Sequence, residues 1–247
     1  MSSTTEAAGL PEPINQLLQN LVEAARAAFR DDLKSVVLFG SGAEGRLRPT
    51  SDLNLLLVLK QFDQGRVDVF REPLRVAQVA ARASVMFLME AELSDAAEAF
   101  AVKFDDIARR RRVLYGEDVF AHLQVSRGAL KQRLRQVLLN LTLRLRERYA
   151  ADSLREEQLA LVIAEAGGPL RAAASTLCEL EGRPAASPRE SLERVVAALG
   201  GAEGANLPAA ISQARQSRSL PAGAAARLMF QLIKLCEAMR LRTERLD

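Results

Sequence analysis

The spacing of apolar residues divides this chain into two parts. Up to about residue 118, segments with apolar residues three and four apart alternate with short continuous apolar runs. The periodic segments predict helices and the continuous runs predict strands. The predicted strands are 36–39, 53–59 and 84–89, and the predicted helices are 13–30, 66–83 and 93–109. The run 53–59 is almost wholly apolar, which predicts a strand buried on both faces.

Beyond about residue 118 the pattern predicts helices alone. The segment 127–149 carries leucines three and four apart, which is typical of an amphipathic helix. Further helices are predicted over 154–181, with a candidate break at Gly167-Gly168-Pro169, and over 222–245. The run Ser187-Pro188-Arg189-Glu190 predicts another helix start, because it offers an N-cap, a proline at the first helical position and a capping-box glutamate.

These elements predict two domains after a short lead-in. Residues 1–11 are predicted to be disordered, residues 12–118 to form an α/β domain with a small mixed sheet flanked by helices, and residues 119–247 to form an all-α helical bundle. The composition agrees with this, since 49% of the 247 residues are hydrophobic and 26% are charged. Both values are ordinary for a globular protein.

Charge, cysteines and hydropathy narrow the function classes. The formal net charge of +3 does not by itself indicate a nucleic-acid partner. Cys178 and Cys236 have no neighbours at metal-ligand spacing, which predicts buried free thiols in a reducing compartment. No apolar run approaches the roughly 18 residues of a membrane span, and the first residues are polar. We therefore expect no membrane partner and a cytoplasmic location.

The most informative stretch, FGSGAEGRLRPTSDLN, joins the first two predicted strands. It contains Gly40-Ser41, ten further residues, and then Asp52-Leu53-Asn54 at the start of an apolar run. The glycines at 40 and 42 let the backbone approach a phosphate, and the Ser41 hydroxyl can donate a hydrogen bond to it. A helix that began near residue 43 would add free amide groups.

Two arginines in the same stretch, Arg46 and Arg48, could reach phosphate oxygens as forked donors. Together with Gly40, Ser41 and Gly42 they form the predicted nucleotide-binding set. Solvated loop charges are the alternative for both arginines.

The Gly-Ser pair, the ten-residue gap and Asp52-Leu53-Asn54 resemble the core motif of the DNA polymerase beta nucleotidyltransferase superfamily, in its minimal type, over about residues 34–118. The resemblance implies that Gly40 and Ser41 contact phosphates and that Asp52 binds a catalytic metal. The last position of the family motif is normally an acid, and here it is Asn54. The helical tail is similar in architecture to the antitoxin-type and aminoglycoside-type branches.

The metal chemistry of nucleotidyl transfer requires more carboxylates than this pattern supplies. Two metal ions about 3.5–4 Å apart stabilise the attacking and leaving oxygens, and Mg²⁺ binds through hard oxygen ligands. Asp52 and Asn54 share one strand face, but the amide of Asn54 is a neutral and weaker ligand. A third acid is expected in strand 84–89, which contains none; Glu90 and Glu92 follow its end. We expect this site to hold Mg²⁺ poorly.

Three functions remain open from the sequence. The favoured one is a superfamily member with an incomplete metal site that binds a nucleotide or a partner protein and transfers little or nothing. An active enzyme that moves a nucleoside monophosphate from an NTP to a small-molecule or protein hydroxyl would need Mg²⁺, and Glu44, Glu90 or a partner chain to complete the site. The third is a structural or regulatory module that binds a partner protein, or a second copy, through its helical domain.

A basic band follows the α/β domain. Residues 107–148 hold eleven Arg or Lys against three acidic residues. Such a band can contact nucleic-acid phosphates. Few aromatic residues accompany it, so the sequence favours a solvated helix face, or pairing with acidic helices of the tail, over nucleic-acid binding.

Overall fold

The computed structural model describes residues 9–47 and 51–246, with only the backbone of 202 and 203. Most of the predicted disordered lead-in, residues 1–8, lies outside the described residues. The chain divides into two compact units, one made of residues 9–97 and Phe104–Gln124 and the other of Glu98–Lys103 and residues 125–246. The sequence placed 98–103 in the α/β domain, but Ala101 and Val102 pack into the core of the helical unit.

The chain up to residue 116 contains both helices and strands. In order, the elements are α1 (Glu12–Phe29), β1 (Leu33–Phe39), β2 (Leu53–Leu59), α2 (Gln64–Ala81), β3 (Ala83–Met89), α3 (Leu93–Ala99), α4 (Ala101–Arg109) and β4 (Arg111–Gly116). The four strands form one sheet in the order β3-β2-β1-β4. β1 is antiparallel to β2 and β4, whereas β2 and β3 are parallel. The predicted mixed sheet is confirmed, and the sequence pattern missed β4.

The core of the first unit explains the apolar run of β2. Every residue of β2 except Asn54 is buried, as the pattern predicted. Alternate residues of β1 and β2 pack with α1 and α2 in one apolar cluster. Within it, the Phe29 ring lies 5.4 Å from that of Phe70 and 6.1 Å from that of Phe87, centroid to centroid. This packing fixes which face of β2 carries Asn54.

The second unit is helical throughout its described part. Its helices are α5 (Arg127–Asp152), α6 (Glu156–Leu180), α7 (Pro188–Leu199), α8 (Gly201–Gly204), α9 (Leu207–Ser217) and α10 (Ala225–Glu244). The leucine stripe of α5 is buried, as predicted, with Leu134, Leu138 and Leu145 almost inaccessible. Ser187 caps α7 by accepting a hydrogen bond from the Glu190 amide, as predicted. Among the described helices, none combines the length and the apolar character of a membrane span.

The candidate break at Gly167-Gly168-Pro169 does not interrupt α6. The helix continues through Pro169. Gly167 has a packing role instead, because a Cβ there would lie 2.6 Å from Cγ2 of Ile211 in α9. The glycine therefore permits the close approach of two helices.

Candidate functional site

The strand directions bring the predicted site residues to one edge of the sheet. Phe39, the last residue of β1, pairs with Asn54 near the start of β2, and Leu53 pairs with Ala83 at the start of β3. The residues just outside these pairs therefore meet at that edge. They are Gly40-Ser41 after β1, Asp52 before β2, and Arg82 before β3.

The Gly-Ser loop is a series of tight turns. Gly40 has a φ of 72°, which a residue with a side chain rarely adopts. Gly42 has little room for a side chain, since a Cβ would lie 3.2 Å from the Leu38 Cδ1. The Arg46 amide donates to the Ser41 carbonyl over 2.9 Å, and the Gly45 amide donates to the Gly42 carbonyl over 3.2 Å. The helix considered near residue 43 does not form, so its free amides are not available here.

Arginines from the junction of α4 and β4 hold this loop. The Gly40 amide donates to the Arg110 carbonyl over 2.9 Å, and the Arg112 guanidinium donates to the Ala43 carbonyl over 3.1 Å. The Arg110 guanidinium also pairs with Glu44 at 3.2 Å and with Asp106. Burial acts to lower the pKa of Arg110, but these carboxylates outweigh it and raise the pKa above its ordinary value. Glu44 is thus already neutralised by a guanidinium.

Asp52 has a guanidinium as its charged partner. Its Oδ1 accepts a hydrogen bond from Nε of Arg82 over 2.8 Å, and both side chains are half exposed. Arg82 ends α2 in the left-handed conformation, with a φ of 51°, and its amide caps the helix by donating to the carbonyls of Ala77 and Gln78. The Arg82 carbonyl in turn accepts from the Leu53 amide over 3.4 Å. Backbone contacts on both sides therefore place the guanidinium beside Asp52.

The two other expected metal positions carry no charge. Asn54 donates from its side-chain nitrogen to the Asp52 carbonyl over 3.4 Å. Across the parallel pair, Asn54 lies opposite Ser84, and Met86 is two residues further on the same face of β3. These residues offer a neutral amide, a hydroxyl and a thioether. β3 thus places no carboxylate on this face, because its sequence, Ala83–Met89, contains no acidic residue.

The acids after β3 lie at the wrong end of the strand. Glu90 is six residues beyond Ser84, or about 20 Å along an extended strand. There it pairs with Lys34 at 3.2 Å, while the Glu92 carboxylate accepts from the Met89 amide over 3.0 Å. Neither glutamate can complete a site at Asp52. Of the two glutamates that the sequence offered to complete the metal site, Glu90 is too far from Asp52, and Glu44 is paired with Arg110.

The comparison with solved structures agrees with this topology. No family model matches the chain. A putative protein adenylyltransferase of Methanocaldococcus jannaschii is 36% identical over 55 residues, which are 22% of this chain and only 37% of that protein. The crystal structure of a spectinomycin adenyltransferase from Enterococcus faecialis, with ATP and spectinomycin, superposes with a TM-score of 0.66 at 11% identity, covering 91% of this chain and 98% of that one.

The chain has a nucleotidyltransferase-like fold. The predicted superfamily resemblance and the predicted architecture are thereby confirmed at the level of the fold. At 11% identity, the superposition shows the fold alone.

The metal pair of nucleotidyl transfer does not fit this version of the nucleotidyltransferase-like fold. Among the described residues, no group of three or more His, Cys, Asp or Glu side chains is placed to hold a metal ion. Asp52 already has a cationic partner, as does Glu44 in the loop 40–47, and the strand positions beside Asp52 offer an amide and a hydroxyl. Two divalent ions close together need several anionic ligands to offset their mutual repulsion.

Of the two arginines predicted to bind nucleotide, only one can be placed. Arg46 is exposed at the end of the loop and makes no ion pair with another described residue. Arg48 lies outside the described residues. The predicted roles of Gly40, Ser41, Gly42 and these arginines in nucleotide binding stay predictions.

The arginine run 109–112 is paired within the first unit of the nucleotidyltransferase-like fold. Arg109 pairs with Asp105. The Arg111 guanidinium donates two hydrogen bonds, of 2.8 and 2.7 Å, to the Asp118 carboxylate. The hydrogen bond from Arg111 is the main cause that lowers the pKa of Asp118. Arg109 and Arg111 thus pair with acids four and seven residues away, and Arg110 pairs with Asp106 and Glu44, which also lie in the first unit.

The basic helix that follows does pair with the tail. On α5, Arg135 contacts Glu244 at 3.1 Å, and Arg146 contacts Glu237, both on α10. This is one of the two arrangements that the sequence favoured. The pairs leave less positive charge for a nucleic-acid partner than the sequence count indicates.

The residue that sequence analysis missed is Arg82. Its signal is positional, because it stands one residue before β3 as Asp52 stands one residue before β2. Only the register of the parallel strands converts these two positions into a contact. Helices also commonly end in glycine at a left-handed position, so an arginine there is unusual.

Proposed function

We propose that this protein binds the phosphates of a nucleotide at the edge formed by residues 40–47, Asp52 and Arg82, and that it transfers little or nothing from that nucleotide. The observation that supports the proposal most directly is the pairing of Asp52 with Arg82, where a catalyst needs a cluster of carboxylates. The glycine turns leave the backbone open to a ligand at the same edge. The exposed Arg46 adds a donor for phosphate oxygens.

ATP is the first nucleotide to test. The similar structure is of a spectinomycin adenyltransferase with ATP, and the local sequence match is to a putative protein adenylyltransferase. Both names refer to adenylyl transfer, which uses an adenine nucleotide. Base preference is therefore an arm of the experiment, with GTP as the comparison.

The test combines binding with turnover. Titration calorimetry of ATP and GTP into the whole protein should give binding that weakens in Arg46→Ala. Pyrophosphate release, followed with Mg²⁺ or Mn²⁺ present and with candidate acceptors, should stay at background. Metal-dependent release that disappears in Asp52→Ala would overturn the proposal.

A second candidate is an active nucleotidyltransferase, favoured by the adenylyltransferase names of both similar proteins. In that reaction an acceptor hydroxyl oxygen bonds to the α-phosphorus, the bond to the bridging oxygen breaks, pyrophosphate leaves, and the hydroxyl proton passes to a base. The missing carboxylates would have to come from another chain, a partner protein or a second copy. Pyrophosphate release that rises steeply with protein concentration, or on adding a partner, would support it.

A further inference from the structure

We infer that the guanidinium of Arg82 takes the place of the metal ion in this site, so that nucleotide phosphates bind here without a divalent cation. The inference rests on the proposed function, since it says how the proposed phosphate site is neutralised. It assigns a role to a residue outside the superfamily motif.

The position of Arg82 is the first argument. A metal ion in this fold would have to be bound by Asp52, the one motif carboxylate that the chain retains. Among the described residues, the cation in contact with Asp52 is the Arg82 guanidinium, at 2.8 Å. A guanidinium also presents several N–H donors in a plane, which suits phosphate oxygens as well as a carboxylate. Nε donates to Asp52, which leaves the terminal nitrogens of the half-exposed side chain as donors for a ligand.

The backbone at Arg82 is the second argument. A φ of 51° favours glycine, and an arginine there carries a conformational cost. The side chain is half exposed, so burial of apolar surface does not offset that cost. Arg218 has the same left-handed conformation at the end of α9, but it makes no ion pair with another described residue. Arg218 is therefore a matched control for Arg82.

The charge at the edge is the third argument. Asp52 fixes Arg82 in place but also offsets its positive charge, so the pair together is neutral. An added magnesium ion at Asp52 would meet a carboxylate that is already paired with a guanidinium, and the guanidinium would repel it; the Glu44 carboxylate of the loop 40–47 is likewise paired, with Arg110. Removing the charge of Asp52 while keeping its shape should therefore strengthen phosphate binding. A metal-dependent site would respond in the opposite way.

The experiment is a titration of ATP and of inorganic tripolyphosphate into the full chain, in EDTA and in excess Mg²⁺. The wild-type affinity in EDTA should be at least as high as in Mg²⁺. Arg82→Gly, which suits the backbone, should lose about tenfold in affinity through the lost charge-assisted hydrogen bonds. Arg82→Lys should recover part of that loss, and Arg218→Gly should bind as the wild type does. Asp52→Asn should bind about three- to tenfold more tightly in EDTA, from removal of one nearby negative charge.

The outcomes separate the two proposals. If the wild type binds neither ligand in either buffer, the proposed function fails and this inference fails with it. If it binds tenfold or more tightly with Mg²⁺, or if Asp52→Asn weakens binding, phosphate binding stands and the role of Arg82 is refuted. Equal affinities for wild type and Arg82→Gly in EDTA would also refute it. Circular dichroism of each variant checks that the fold is retained.

Discussion

Replacing Arg82 and Arg218 by glycine, one at a time, tests how strongly the Asp52–Arg82 pair holds. Both arginines end helices at positive φ, 51° and 58°, and both are exposed to solvent. The left-handed conformation destabilises a residue with a side chain by roughly 1–2 kcal/mol, a cost that glycine avoids. The greater conformational freedom of glycine in the unfolded chain offsets about 0.5–1 kcal/mol of this gain. Arg218→Gly should therefore raise the free energy of unfolding by about 0.5–1 kcal/mol.

Arg82→Gly removes the same cost of the left-handed backbone but also removes the ion pair with Asp52. Exposed pairs contribute about 0.2–1 kcal/mol, so the two effects should nearly cancel and leave the free energy of unfolding almost unchanged. The difference between the two substitutions is thus a measure of the Asp52–Arg82 pair. High salt should reduce that difference, because screening weakens exposed pairs.

Urea unfolding followed by tyrosine fluorescence can resolve the two units. The chain has two tyrosines, Tyr115 in the first unit and Tyr149 in the helical unit. Tyr149→Phe leaves a reporter on the unit of Arg82, and Tyr115→Phe leaves one on the unit of Arg218. If Arg82→Gly stabilises its unit as much as Arg218→Gly stabilises the other, the ion pair contributes nothing and the reasoning is refuted. A cycle with Asp52→Ala checks the pairwise energy directly.

Three further predictions use other features. Gly167→Ala should destabilise the helical unit by about 1–3 kcal/mol, because its Cβ would lie 2.6 Å from the Ile211 Cγ2. Gly128→Ala, which has open space around the added Cβ, should not destabilise it. Urea unfolding of the two variants tests the difference. Burial raises the pKa of Cys236 to about 12 from an ordinary 9.0. The unfolded chain therefore loses that proton first, and the free energy of unfolding should fall as the pH rises from 9.0 to about 12. A free energy of unfolding that stays constant over this pH range in the wild type would contradict the prediction. Arg46→Ala should weaken ATP binding and flatten its salt dependence in calorimetry, whereas an unchanged isotherm would remove Arg46 from the site.

The sequence predicted the parts of the fold that depend on local pattern. The apolar run of β2, the leucine stripe of α5 and the Ser187 cap each follow from spacing within a few residues. The sequence pattern did not predict β4, because this short edge strand begins with two arginines and has too few apolar positions to show a period. The break predicted at Gly167-Gly168-Pro169 is wrong: glycine and proline disfavour a helix interior, yet α6 continues through all three residues.

The candidate site shows the same limit. The motif spacing predicted that Gly40, Ser41 and Asp52 belong together, and their positions at one edge of the sheet follow from the antiparallel pairing of β1 and β2. The partner of Asp52 could not be predicted, because it depends on the register of β2 against β3, thirty residues apart in the chain. Long-range register of this kind leaves no local trace in the sequence.

The segment Glu98–Lys103 makes the two units inseparable by a single cut. The chain passes between them after Ala97, after Lys103 and after Gln124. A truncation at residue 118 or 124 would remove Ala101 and Val102 from the helical core and leave them on the α/β fragment without their packing partners. Neither unit is thus a transferable module, and fusion or swapping experiments that join this chain to a relative must exchange the 98–103 segment together with the helical part.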